Sequence, residues 1–158
     1  MKKYEFTGET KQINLLFRTA TLHRIRAVVE FGLVKIGDLG GWIEKEENLS
    51  HDGKAWVWGN AEVCGDAKVC GDAEVFSASH VLVIGAIGSR NDFTTFFRDK
   101  DGEITVKCGC FLGKIDRFLE KVASTHGNSK YALVYRAAVE VAKLQIDLTG
   151  EAPEMDEE

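Results

Sequence analysis

Ala55-Trp56-Val57-Trp58-Gly59-Asn60, Ala61-Glu62-Val63-Cys64-Gly65-Asp66, Ala67-Lys68-Val69-Cys70-Gly71-Asp72 and Ala73-Glu74-Val75-Phe76 are consecutive lines of one pattern with a period of six. Two fading copies follow, Ser79-x-Val81 and Gly85-x-Ile87, so an aliphatic residue falls at 57, 63, 69, 75, 81 and 87. A helix cannot use this spacing, because six steps of about 100° rotate each aliphatic residue by about 240° and scatter the row over three sides. A straight strand cannot use it either. Gly-Asn and Gly-Asp are turn formers that would interrupt the ladder at every sixth residue. What remains is a chain that runs a short strand, bends at Gly-Asx and runs another, with each Val pointing to a common axis. That geometry is a parallel β-solenoid.

The Gly-Asp-Ala-x-Val line resembles the hexapeptide repeat of left-handed β-helix proteins, an architecture of many acyltransferases. The lead-in Gly37-Asp38-Leu39-Gly40-Gly41-Trp42-Ile43-Glu44-Lys45-Glu46, with Asn48-Leu49-Ser50, is similar to the entry segment of a YdcK-type subgroup of that superfamily. The resemblance implies three hexads per triangular coil and a homotrimer. A second resemblance covers Gly85 to Tyr135, including Ile87-Gly88-Ser89-Arg90-Asn91-Asp92, Cys108-Gly109-Cys110-Phe111 and Thr125-His126-Gly127. This stretch looks like the C-terminal module of uncharacterised proteins of phages and gut Firmicutes. It implies a phage or prophage product, for which antagonism of a host defence system is a reasonable role.

The flanks read differently from the repeat. Short strands at Tyr4 to Phe6, Ile13 to Phe17, Leu22 to Val29 and Val34 to Ile36 suggest a β-rich N-terminal cap over residues 1–42. The repeat region is placed at 43–92. Beyond it, Phe93 to Phe97 and Ile104 to Cys108 flank the turn Asp99-Lys100-Asp101-Gly102. Ile115, Phe118, Leu119 and Val122 then have helical spacing, as do Tyr131, Val134, Tyr135, Ala138, Val141 and Ala142 beyond a break at His126-Gly127-Asn128-Ser129. Residues 93–148 are therefore expected to be a β-hairpin plus a two-helix C-terminal cap, and 149–158 an acidic disordered tail. The expected fold class is mainly β, with a short left-handed parallel β-helix between the two caps.

Charge narrows the partners. The chain of 158 residues has 20 Lys and Arg against 25 Asp and Glu, but five of the acids lie in the last eight residues and the body is neutral. A nonspecific nucleic-acid binder would carry a basic excess to displace counterions from phosphates. No stretch reaches the ~18 apolar residues of a membrane helix, and no apolar signal core follows the start, so a cytoplasmic location is expected, that of the host cell for a phage product.

Four cysteines, Cys64, Cys70, Cys108 and Cys110, do not match zinc spacings and read as reduced thiols, so neither a metal nor another cofactor is expected. Among the histidines, His80 or His126 could serve as base in a CoA-dependent acyltransferase of the hexapeptide type, but none sits in a motif for that role. Cys108 or Cys110 with His126 could form a thiol nucleophile, although nothing in the spacing brings them together. No catalytic residue is assigned.

The densest polar cluster, Ser89, Arg90 and Asn91 with Thr94, Thr95 and Arg98, combines hydroxyl donors with planar guanidinium forks suited to phosphate or carboxylate. Tyr131 and Tyr135 are candidate stacking partners. The same cluster can be read structurally, with Arg90 paired to Asp92 and the polar residues turning the chain off the repeat. Side chains 18 apart would stack in the solenoid, placing Trp58 by Phe76 and Cys64 by Leu82 as an outward ladder for self-association. The expected function is a non-enzymatic, oligomeric binding protein, taking a phosphorylated or nucleotide ligand or a host defence protein. The acyltransferase and a direct protein-directed inhibitor such as an anti-CRISPR protein are the alternatives.

Overall fold

A computed structural model describes residues 2–149, and the acidic segment expected to be disordered lies outside them from residue 150 onward. The elements are β1 (Tyr4–Asn14), β2 (Thr19–Ala27), β3 (Leu39–Ile43), β4 (Trp56–Val57), β5 (Glu62–Val63), β6 (Glu74–Val75), β7 (Val81–Ile87), β8 (Asp92–Arg98), β9 (Ile104–Cys108), β10 (Phe111–Lys114), α1 (Ile115–His126) and α2 (Lys130–Gln145).

Most of the pairing is antiparallel. β1 and β2 form a long hairpin from Tyr4↔Ala27 to Asn14↔Thr19, and β3 adds antiparallel to β2. The C-terminal sheet has the order β10-β9-β8-β7 and is antiparallel throughout. These neighbours are consecutive strands joined by tight turns, and such connections yield antiparallel pairs. Parallel pairing is confined to two-residue segments, β3 with β5 and β4 with β6, plus a bridge between Leu49 and Val69.

The expected short left-handed parallel β-helix is thereby overturned: the protein is mainly β with mostly antiparallel sheets and two C-terminal helices. With the β-helix goes its implied membership of the hexapeptide-repeat superfamily and the YdcK-like reading of the entry segment. The physical reason lies in the fading copies. Gly-Asx corners stop at Gly71-Asp72, and without them Val81 to Ile87 runs on as a continuous strand and pairs antiparallel with β8. Val81 still packs against the core that holds Val57, Val63, Val69 and Val75, but from within β7, while Ile87 joins the helical core. The boundary expected after residue 92 lies at the start of β8, just past its first residue.

Side-chain burial holds the periodic segment. Val57, Val63, Val69 and Val75 are all buried in one core with Ile43, Leu49, Trp56 and Phe97. Burying each such side chain is worth about 1.5–3 kcal/mol, more than ladders two residues long can supply at about 1 kcal/mol per net hydrogen bond. Asn48 bolts the corner. Its Oδ1 accepts from the Glu44 and Lys45 N–H groups, and its Nδ2 donates to the Gly65 and Ala67 carbonyls. Fully buried, this amide has every polar atom satisfied.

β8 separates two cores. Phe97 faces the core of the periodic segment, whereas Phe96 faces the helices and meets Phe118 edge-on at 6.4 Å. Beyond it the Asp99 turn is closed by Lys114, whose Nζ lies 3.2 Å from Asp99, 2.9 Å from Asp101 and 2.8 Å from Glu103.

Two tests follow from this packing. A Cβ on Gly40 would sit 2.7 Å from both Ile25 Cγ1 and Trp56 Cζ2, whereas one on Gly59 would meet nothing but needs φ +56°. Gly40→Ala should therefore cost about 3 kcal/mol by overpacking and Gly59→Ala only about 1–2 kcal/mol by backbone strain, read from urea unfolding. Separately, Arg18 makes a bidentate bond to Glu44 at 2.5 and 2.8 Å, which holds the Glu44 carboxyl down at about 2. A depressed carboxylate pKa adds stability above the unfolded value and loses it as pH falls through the folded one. The melting temperature should fall more steeply between about pH 5 and pH 2 in the wild type than in Glu44→Gln.

Candidate functional site

The helices set one wall of the site. α1 starts beyond β10 and turns Phe118 and Val122 into the core, which leaves Lys121, Thr125 and His126 along its flank. It stops at Gly127, whose φ of 58° ends the helix while its N–H reaches the Ala123 carbonyl. α2 returns across the sheet and buries Ala132, Tyr135, Ala138, Val139 and Ala142. Between these helices and the β8–β9 strands lies a cleft of about 230 Å³.

The cleft is aromatic inside. Phe118 meets the Tyr135 ring edge-on at 5.6 Å, and His126 stacks on the other side of it at 5.8 Å. At the base, the Thr94 hydroxyl donates to Cys108 Sγ at 3.5 Å, and the Cys108 thiol donates to Tyr135 Oη at 3.9 Å. Since Tyr135 Oη accepts there, its own proton is left to donate into the cleft. Burial, with Cys108 alongside, pushes the phenol up to about 12, so it stays protonated and a donor at neutral pH.

The mouth is basic. The β7–β8 turn, closed by the Asn91 N–H donating to the Gly88 carbonyl at 3.2 Å, carries Ser89 and Arg90 to the rim opposite Lys121. Neither the Arg90 guanidinium nor the Lys121 ammonium has a hydrogen-bond or ion-pair partner among the described residues. The pairing of Arg90 with Asp92 read from the sequence is absent there, and the Asp92 carboxylate accepts instead from the Phe93 N–H. Gly88 is demanded twice, by φ +79° and because a Cβ would lie 1.9 Å from Tyr135 Oη.

Ser89, Arg90 and Tyr135, expected as ligand contacts, thus come together. Asn91 stays on the turn outside the lining, and Tyr131 is exposed, packing on the His126 ring at 5.6 Å. Thr94 lies beneath the floor. Thr95 points the opposite way and accepts the Lys68 N–H at 3.0 Å. Arg98 is buried at the far end of β8, its guanidinium 5.4 Å over the Phe76 ring and donating to the Thr149 carbonyl. Alternation along one strand sends Thr94 and Thr95 to opposite faces, so the cluster that is dense in sequence is divided in space.

Cys108, Cys110, Phe111, Phe118, Lys121 and His126 also line the cleft and were not assigned to a ligand site from sequence. The spacing of Phe118, Lys121 and Thr125 along one side of a helix was the available sign. Both cysteines do share this cavity with His126, yet the ring of His126 stacks on Tyr135 and the partners of Cys108 are Thr94 and Tyr135. No thiol is hydrogen-bonded to an imidazole among the described residues.

Of the expected interface residues, Trp58 and Phe76 do meet, at 5.9 Å between rings. Leu82 instead packs against the helical core, while Cys64 lies near Glu44 and Arg18. A larger open groove of about 690 Å³ runs past Leu49, Val69, Cys70 and Leu112. Its rim sets Glu46, Glu47 and Asp52 against Lys68 and Lys107, so it selects neither sign of charge. Among the described residues no helix is long and apolar enough to cross a membrane, and no group of three or more His, Cys, Asp and Glu side chains is placed to hold a metal.

No protein-family model matches the chain, and no curated protein matches it.

Gly88→Ala tests the site's construction. The added methyl should displace Tyr135 and destabilise the fold by about 2–3 kcal/mol. Against a Tyr135→Phe background the loss should shrink in part, because the nearest clashing atom is gone while Cζ at 2.7 Å and the positive φ remain.

Proposed function

We propose that the protein is a non-enzymatic binding protein that holds a small anionic ligand, of the phosphorylated aromatic or nucleotide class, in the cleft between β8, β9 and the two helices. The observation that carries this reading is a pair of unengaged cations, Arg90 and Lys121, over an aromatic-lined cleft. An unpaired guanidinium matches phosphate or carboxylate bidentately. The Ser89 hydroxyl and the Tyr135 phenol supply neutral donors, and Phe118, Phe111 and the His126 ring offer apolar faces to a planar group.

Size limits the ligand. At about 230 Å³ the cleft is smaller than the ~300–1,000 Å³ of drug-sized sites, so it takes one ring and one anionic group at a time. Such a site suits sequestration, since the donors are preformed around the cleft. Withdrawing a host signalling nucleotide is the form this activity takes if the chain acts against a defence system.

Calorimetric titration with inorganic phosphate, pyrophosphate, nucleoside monophosphates and cyclic nucleotides tests this directly. One of the nucleotides should bind more tightly than phosphate alone, and Arg90→Ala should weaken it by about 10- to 100-fold, the worth of a charged hydrogen bond. The melting temperature of the unliganded variant should stay unchanged, since Arg90 supports nothing. Absence of heat from every compound, or equal binding by Arg90→Ala, overturns the reading.

A further inference from the structure

Along the exposed side of α1 runs an open groove of about 580 Å³ that adjoins the ligand cleft, since Cys110, Phe111 and Lys121 line both. Arg117, Glu120 and Ser124 complete it. While Phe118 and Val122 turn into the core, Arg117, Lys121 and Ser124 follow one another at i, i+4 and i+7 on the solvent side of the helix. The row therefore leads from the cleft toward the start of α1, with Arg117 one turn, about 5.4 Å, beyond Lys121.

Other cations of the helical layer are committed elsewhere. Lys114 lies among three carboxylates, Arg136 donates to the Gly127 carbonyl and Lys143 pairs with Glu140. The Arg117 guanidinium and the Lys121 ammonium have no hydrogen-bond or ion-pair partner among the described residues. Glu120 makes an ion pair with neither, so the groove sets two cations against one carboxylate. Counted with Arg90 and Asp92 across the mouth, cations still outnumber acids around the joined space.

We infer that this groove is a second phosphate subsite, so that the ligand is a nucleoside diphosphate or carries a longer phosphate chain. The inference rests on the reading of the cleft as an anion site and extends it along α1. Since the cleft has room for one ring and one anionic group, a second phosphate must leave by the mouth, where Lys121 lines both spaces. Arg117, Glu120 and Ser124 add charge and a hydroxyl but no ring on which a second base could stack. At the far end of the row, the Arg117 guanidinium can hold a terminal phosphate through two N–H groups. Water screens charges in so open a groove, so the terminal phosphate should add about fivefold in affinity, less than an enclosed pair would.

Calorimetric titration of the full chain with the mono- and diphosphates of adenosine, guanosine, cytidine and uridine, in buffer without divalent cations, tests this. For a nucleoside that binds, the diphosphate should bind about fivefold more tightly than the monophosphate, and the gap should narrow as salt is raised. Arg117→Ala should close the gap and leave the monophosphate's dissociation constant and the circular dichroism spectrum unchanged, because the side chain is exposed. Glu120→Gln, which removes the opposing carboxylate, should widen the gap. Arg90→Ala should weaken both ligands, since both occupy the cleft. A diphosphate that binds no more tightly than its monophosphate, a gap that Arg117→Ala leaves intact, or an Arg117→Ala loss shared equally by the monophosphate overturns the second subsite while the cleft reading stands. Failure of every nucleotide to bind overturns both.

Discussion

One strand with alternating sides carries the architecture. β8 puts Phe97 into the core of the periodic segment and Phe96 into the core under the helices, so the two halves of the protein share a wall one residue thick. Period-two alternation makes this unavoidable once the strand is buried on both faces. The same rule divides Thr94 from Thr95. One lies under the ligand cleft, and the other caps the Lys68 N–H of the repeat, so a shift of register in β8 would move the floor of the cleft and the lid of the repeat together.

The middle of the chain depends on burial more than on ladders. Each straight run between Gly-Asx corners forms a strand of only two residues, too little to define a sheet by hydrogen bonding alone. Inward valines, the satisfied Asn48 amide and the close approach of Gly40 and Gly41 to Trp56, Val57 and Ala61 supply what the ladders lack. Antiparallel sheets close both ends, β2 and β3 on one side and β8 on the other. Regular repetition therefore ends after Val75, since the next layer already belongs to a hairpin.

Electrostatics separates structural from available charge. Lys114 is surrounded by three carboxylates and Arg18 is committed to Glu44, so neither can serve a ligand. Arg98 is likewise engaged, over Phe76 and on the Thr149 carbonyl. Arg90 and Lys121, by contrast, stand without such a partner on a turn and a helix flank that line the same cleft. Ser89, Arg90 and Tyr135 were readable as candidates because their side-chain chemistry suits an anion and a ring. Cys108, Phe118, Lys121 and His126 were not, because their joint position depends on how α1 crosses the β8–β9 pair, and no local pattern encodes a crossing.

The amino-acid sequence by itself determined the elements with strong local rules: the Asp99 to Gly102 turn between two strands, the two amphipathic helices broken at Gly127, and the row of buried valines spaced by Gly-Asx corners. Periodicity and turn chemistry act over a few residues, so they survive without knowledge of the rest. Only the tertiary structure decided that the row stops at Val75, that the main sheets are antiparallel, and that Arg90 and Lys121 line one cleft while Arg98 lies over Phe76. Those outcomes are settled by long-range competition for burial and pairing partners, a quantity that no window of sequence contains.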